Sequence, residues 1–76
     1  MAVTIYTTPT CSYCTMAKNW FKEKGIKYTE YNVARDLRKA DEMVKKSGQM
    51  GVPVLDVNGR IIVGFDKPKI ESALRR

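Results

Sequence analysis

The chain has 76 residues, 43% of them hydrophobic and 29% charged, with a formal net charge of +6. A chain this short builds one small core and buries about 60–65% of the surface its unfolded form exposes, so a single domain over 1–76 is expected. The composition is that of a globular protein and argues against disorder. No apolar run approaches the ~18 residues that cross a bilayer, and the lack of histidine removes that residue as base or metal ligand.

The fourteen basic residues are spread over the chain, among them Lys22, Lys24 and Lys27, then Arg35, Arg38, Lys39, Lys45 and Lys46, then Arg75 and Arg76, with Glu23, Asp36, Asp41 and Glu42 interleaved. This pattern describes a solvated surface able to attract acidic partner proteins. No basic–aromatic motif accompanies it, so nucleic acid is not expected as a partner. The start Met1-Ala2-Val3-Thr4 lacks the basic and long apolar stretches of a signal peptide. The expectation is a cytoplasmic monomer with no membrane attachment.

Val3 to Tyr6 alternates apolar and polar residues and predicts a first strand. Thr7-Thr8-Pro9-Thr10 follows as a loop. From Ser12 to Lys24 the residues Tyr13, Ala17, Trp20 and Phe21 recur at helical spacing, and Gly25 supplies a C-terminal stop. Lys27 to Val33 is rich in β-formers and predicts a second strand. Asp36 is the candidate N-cap of a second helix, which carries Leu37, Ala40 and Val44 on one face and ends at Gly48. Val54 to Val57 and Arg60 to Val63 flank Asn58-Gly59, a pair suited to a two-residue turn in which both positions need positive φ. Asp66 or Lys67, followed by Pro68, opens a last helix with Ile70, Ala73 and Leu74 inward. The order β-α-β-α-β-β-α predicts an α/β fold. A strand–helix–strand unit returns parallel and right-handed, and a tight hairpin is antiparallel. The sum is a four-stranded mixed sheet with three helices, whose strand order stays open.

The two cysteines lie in Thr10-Cys11-Ser12-Tyr13-Cys14, between the first strand and the first helix. Two intervening residues let a disulfide close across the helix's first turn. Cys11 falls at the helix N-terminus, where unpaired N–H groups and the positive dipole end favour a thiolate, the attacking species in exchange. Cys14, one turn further in, would resolve the mixed disulfide. Other uses of the pair fit less well. So short a loop would constrain the unfolded chain little as a structural disulfide, and a structural zinc site needs four ligands. A copper-chaperone-like domain carries Met two residues before the first Cys, where Pro9 stands, and has no helix between its second and third strands. Gly51-Val52-Pro53 precedes the third strand directly, and a proline is tolerated at a strand's first position.

Taken together, Ile5-Tyr6 leading to Cys11-Ser12-Tyr13-Cys14, Val52-Pro53 before a strand, Asn58-Gly59 in the hairpin and Gly64-Phe65-Asp66 opening the last helix resemble the glutaredoxin family, within the thioredoxin fold, over essentially the whole chain. The resemblance implies a thiol–disulfide oxidoreductase that reduces protein or glutathione mixed disulfides. It implies no permanently bound cofactor and no metal, with glutathione as reductant. It further implies a cis bond before Pro53, with Pro53 against Cys11 and the Val52 backbone pairing with the cysteine of bound glutathione or of a protein substrate. Tyr13 would line the glutathione groove, Gln49 would add a polar contact, and Gly64 and Phe65 would complete the wall. Asp66 would meet the α-amino group, and the last helix's N-terminus would accept the γ-glutamyl carboxylate.

The chain departs from the family pattern in four places. Ser12 replaces the proline of Cys-Pro-Tyr-Cys, Thr8 a cation three residues before the first Cys, Gly51 a Thr, and Val63-Gly64 a Gly-Gly pair. The departures bring in a sister group, the NrdH-type redoxins, which are glutaredoxin-like but reduced by thioredoxin reductase, a flavoenzyme. Phe65 after Gly64 resembles that group, whereas Ile61-Ile62-Val63 occupies the place of its Trp-Ser-Gly-Phe run. A binding-module alternative is two chains sharing a [2Fe–2S] cluster through Cys11 and two glutathiones, as some glutaredoxins do.

Overall fold

The computed structural model describes residues 2–75; Met1 and Arg76, the ends of the predicted 1–76 domain, lie outside the described residues. The elements run β1 (Val3–Thr7), α1 (Ser12–Glu23), β2 (Thr29–Asn32), α2 (Leu37–Ser47), β3 (Val54–Val57), β4 (Arg60–Val63) and α3 (Lys67–Leu74). The sheet order is β2-β1-β3-β4. β2 lies parallel to β1, while β3 pairs antiparallel with both β1 and β4.

The pleat divides the core between the two faces of the sheet. Val3 and Ile5 point to one face, where Leu55, Val57 and Ile62 meet Phe21 of α1 and Ile70 and Ala73 of α3. Tyr6 and Val54 point to the other, where Val33, just after β2, and Met43 of α2 join them. A polar clasp holds α2 down on this second face. The Tyr6 hydroxyl donates to Glu42, and the Lys46 ammonium donates to the Tyr6 hydroxyl and to Asp56 of β3, each at 3.0 Å. Burial raises the Tyr6 phenol above its ordinary value, and the hydrogen bond to Glu42 adds to that.

Local chemistry sets most of the boundaries. Asp36 caps α2 by accepting the Lys39 N–H at 3.1 Å, and Gly48 ends it in the left-handed region at φ 77°. Asn58 and Gly59 both have positive φ, 54° and 89°, as the tight hairpin requires. Two expectations need correction. β2 is shorter than the predicted Lys27–Val33, because the ladder with β1 spans only Thr29 to Asn32. Leu37 does not face the core: it is 75% exposed, whereas Met43 is 2% exposed. Leu37 occupies the first helical position, and the buried stripe of α2 runs through Ala40, Met43 and Val44 at the i, i+3, i+4 spacing.

Candidate functional site

β1 ends at Thr7, and the chain turns through Thr8, Pro9 and Thr10 into α1. Cys11 is the N-cap of α1, with extended backbone angles of φ −96° and ψ 110°. Its sulfur takes the place of a capping oxygen and accepts the Cys14 N–H at 3.2 Å. An N–H aimed at sulfur from a helix N-terminus stabilises negative charge there. On its other side the Cys11 thiol donates to the Val52 carbonyl at 3.7 Å.

Cys14 is in a different environment. It is 1% exposed, while Cys11 is partly open. The Cys14 thiol is pushed up to about 12, first by burial and then by its hydrogen bond with Cys11; the Thr8 backbone N–H and the Lys18 ammonium act the other way. Cys11 is thus the sulfur more open to solvent, and Cys14 is the one that burial keeps protonated.

The Val52–Pro53 peptide bond is cis. Pro53 is buried, and its carbonyl accepts the Gly64 N–H at 2.9 Å. Gly64 has φ 81°, a conformation that favours glycine. This bond ties the chain between β4 and α3 to the proline beside Cys11. The structure thus brings Cys11, Cys14, Val52, Pro53 and Gly64 together. The other predicted site residues lie on flanking segments, and among the described residues none hydrogen-bonds to either thiol. Tyr13 is 62% exposed in the first turn of α1. Gln49 is exposed on the segment leading from α2 to Val52. Phe65 is half-buried, edge-on to Trp20 with ring centres 6.4 Å apart. Asp66 is the N-cap of α3 and accepts the Lys69 N–H at 3.3 Å. A shallow groove lined by Met16, Asn19, Trp20, Glu23, Phe65 and Lys67 runs alongside, between α1 and the start of α3.

Three residues beside the cysteines were not anticipated. The Thr7 hydroxyl, 1% exposed at residue level, donates to the Glu30 carboxylate at 2.6 Å. The Lys18 ammonium donates to the same Glu30 oxygen at 3.0 Å. Both bonds hold Glu30 below the usual carboxylate range, the Thr7 bond most. One signal was present in the sequence: Thr7 continues the parity of Val3 and Ile5, which puts a hydroxyl on a core-facing position that must find a partner. Among the described residues, no group of three or more Cys, Asp or Glu side chains gathers as a metal site would require, and no helix is long and apolar enough to cross a membrane.

Comparison with known proteins agrees with this geometry. The family model for glutaredoxin matches residues 3–62. An uncharacterized glutaredoxin-like 8.6 kDa protein of the rubredoxin operon of Clostridium pasteurianum is 42% identical over 74 residues, covering 97% of this chain and 99% of its own. Glutaredoxin 3 of Escherichia coli K12 is 38% identical over 64 residues, 84% of this chain and 77% of its own. The structure of the glutaredoxin-like NrdH-redoxin of Escherichia coli superposes with a TM-score of 0.80 at 28% identity, covering 95% of this chain and 93% of that one. With the cysteine pair at a helix N-terminus, the cis-proline beside it and a match over most of its length, the chain belongs to the glutaredoxin family.

Proposed function

We propose that the protein is a dithiol–disulfide oxidoreductase in which Cys11 attacks and Cys14 resolves. The carrying observation is the contrast between the two sulfurs: Cys11 is partly open and caps α1, and Cys14 is buried and holds its proton. The Cys11 thiolate attacks a substrate disulfide, and one half of the substrate leaves as a thiol. Cys14 then displaces the other half, which leaves a Cys11–Cys14 disulfide for an external donor to reduce. No bound cofactor takes part. The substrates in this reading are protein disulfides and glutathione mixed disulfides, handled by a monomer in the reducing cytoplasm. Val52 offers its main chain to the substrate's cysteine, and Tyr13, Gln49, Gly64, Phe65 and Asp66 line the groove around it.

The donor is the open choice, and the similarity to NrdH-redoxin supports a flavoenzyme of the thioredoxin-reductase type. Thr8 stands where a cation would meet glutathione's glycine carboxylate. An exposed ion pair contributes only ~0–1 kcal/mol, so its loss weakens glutathione without excluding it. Phe65 and Val63, the latter 47% exposed, make the wall apolar, which suits a protein partner, and the net charge of +6 aids recruitment of an acidic one. The test follows NADPH oxidation with glutathione plus its reductase, and separately with thioredoxin reductase. Measurable but poor turnover with glutathione is expected, with at least comparable kcat/KM for the flavoenzyme. Glutathione winning by more than about tenfold, ~1.4 kcal/mol of transition-state preference, would make this an ordinary glutaredoxin. A brown, dimeric product on anaerobic purification would favour the shared [2Fe–2S] cluster instead.

A further inference from the structure

The resolving step places a particular demand on Cys14. Its proton must go to solvent, and its sulfur must attack the Cys11 sulfur. The Cys11–Cys14 bond then forms as the bond from Cys11 to the substrate breaks, and the substrate leaves as a thiolate that takes a proton from solvent. Cys14 is 1% exposed, so water does little to stabilise its anion. The groups around it must do so instead.

Lys18 lies four residues after Cys14 in α1, on the same face of the helix. Its ammonium does not swing free. It donates to Glu30 of β2 at 3.0 Å, and Glu30 is held in turn by the Thr7 hydroxyl at the end of β1, at 2.6 Å. Three elements thus fix one cation on the α1 face that also carries Cys14, one turn further along the helix. Thr7 also leads directly into Thr8, whose backbone N–H favours the Cys14 anion. The ionisable groups bearing on the cluster are Cys11 and Lys18 on α1, Glu30 on β2, Tyr28 near Lys18, and Lys22 near Glu30.

We propose that Lys18, fixed by the Thr7–Glu30 pair, is a positioning cation that stabilises the Cys14 thiolate in the resolving step, and that Glu30 both places and partly offsets that charge. This rests on the dithiol reading above. Once Cys11 is bonded to substrate, its own charge no longer opposes ionisation of Cys14. Lys18 and the Thr8 N–H then work against burial alone. The Lys18 and Glu30 side chains are 27% and 36% exposed, so solvent screens the effect and keeps it modest.

The account predicts shifts of opposite sign. Lys18→Met removes the cation. Glu30→Gln removes the opposing charge, while its amide oxygen still accepts from Thr7 and Lys18. The fully reduced protein is mixed with the chromogenic disulfide dithiobis(nitrobenzoate) by stopped flow across a range of pH. The first thionitrobenzoate released reports attack by Cys11, and the second reports resolution by Cys14. Lys18→Met should raise the pH midpoint of the second phase by about half to one unit, with the ratio of second- to first-phase rates falling ~3–10-fold at neutral pH. Glu30→Gln should lower that midpoint, and Lys18→Arg should restore the wild-type profile. If Lys18→Met leaves the midpoint unmoved, or if both variants shift it the same way, the cluster is only structural and the proposal is wrong. The reading beneath it fails differently: the wild type would release one equivalent, or Cys14→Ser would release two.

Discussion

At Cys14 the same burial that protects the thiol makes its protonation state part of the folding equilibrium. The unfolded chain carries an ordinary thiol near 9.0, and the folded one holds its proton up to about 12. Between these values the unfolded chain has lost the proton and the native state has kept it. Stability is therefore full below the lower value and is lost as pH rises toward the upper one. Urea unfolding of the reduced protein should show its midpoint falling through that window, and Cys14→Ser should remove this part of the fall. An alkaline slope equal in the two proteins would contradict the assignment. At this scale the sequence was legible where a residue's chemistry is self-announcing. The cysteine spacing at a helix start did so for Cys11 and Cys14, whereas Pro53 before a strand fits a merely tolerated proline, and its cis bond was implied only by the family resemblance. Thr7, Glu30 and Lys18 were not recognised, because Glu30 reaches Thr7 only through the pairing of β2 on β1, which places Glu30 opposite Ile5. Nothing within a single segment sets that register.

Each helix is delimited by residues that satisfy its end groups, and α3 shows how a cap and a binding contact can share one side chain. Asp66 accepts the Lys69 N–H, and in the proposed groove its charge also meets the substrate's α-amino group. The two roles separate by substitution. Asp66→Ala should cost about 1 kcal/mol of stability through the lost cap. Asp66→Asn should keep nearly all of that stability, since Asn caps as well as Asp. Both should raise KM for a glutathione mixed disulfide if the charge binds substrate. Thermal unfolding set beside steady-state kinetics tells them apart, and an unchanged KM in Asp66→Asn would confine Asp66 to capping. Caps and turns were the legible part of the elements, because Asp36, Gly48, Asn58-Gly59 and Asp66 act through bonds to their own neighbours. Burial along α2 was less so. Leu37 and Met43 are both apolar, and their fates depend on where the helix meets the sheet, which the 3.6-residue period alone does not state.

Across the whole molecule, the sheet separates two kinds of packing. The face under α1 and α3 is apolar except for the Thr7–Glu30–Lys18 group at one end, while α2 is fastened to the other by Tyr6, Glu42, Lys46 and Asp56 as well as by Met43. The cysteine loop leaves β1, and the cis-proline segment precedes β3. β1 and β3 are adjacent and antiparallel, so the end of one and the start of the other meet at a single end of the sheet, and the site forms there. The order of elements and the mixed character of the sheet were legible from connection rules. The order β2-β1-β3-β4 was not, since it depends on which strand edges find each other in the folded chain. The central claim, that Cys11 takes the substrate and Cys14 releases it, is tested most directly by peptide mass mapping after exposure of reduced wild-type protein and Cys14→Ser to glutathione disulfide. The account predicts one glutathione on Cys11 of Cys14→Ser, and in the wild type no lasting adduct but a Cys11–Cys14 disulfide. A stable glutathione adduct on the wild type, or none on Cys11 of the variant, would contradict it.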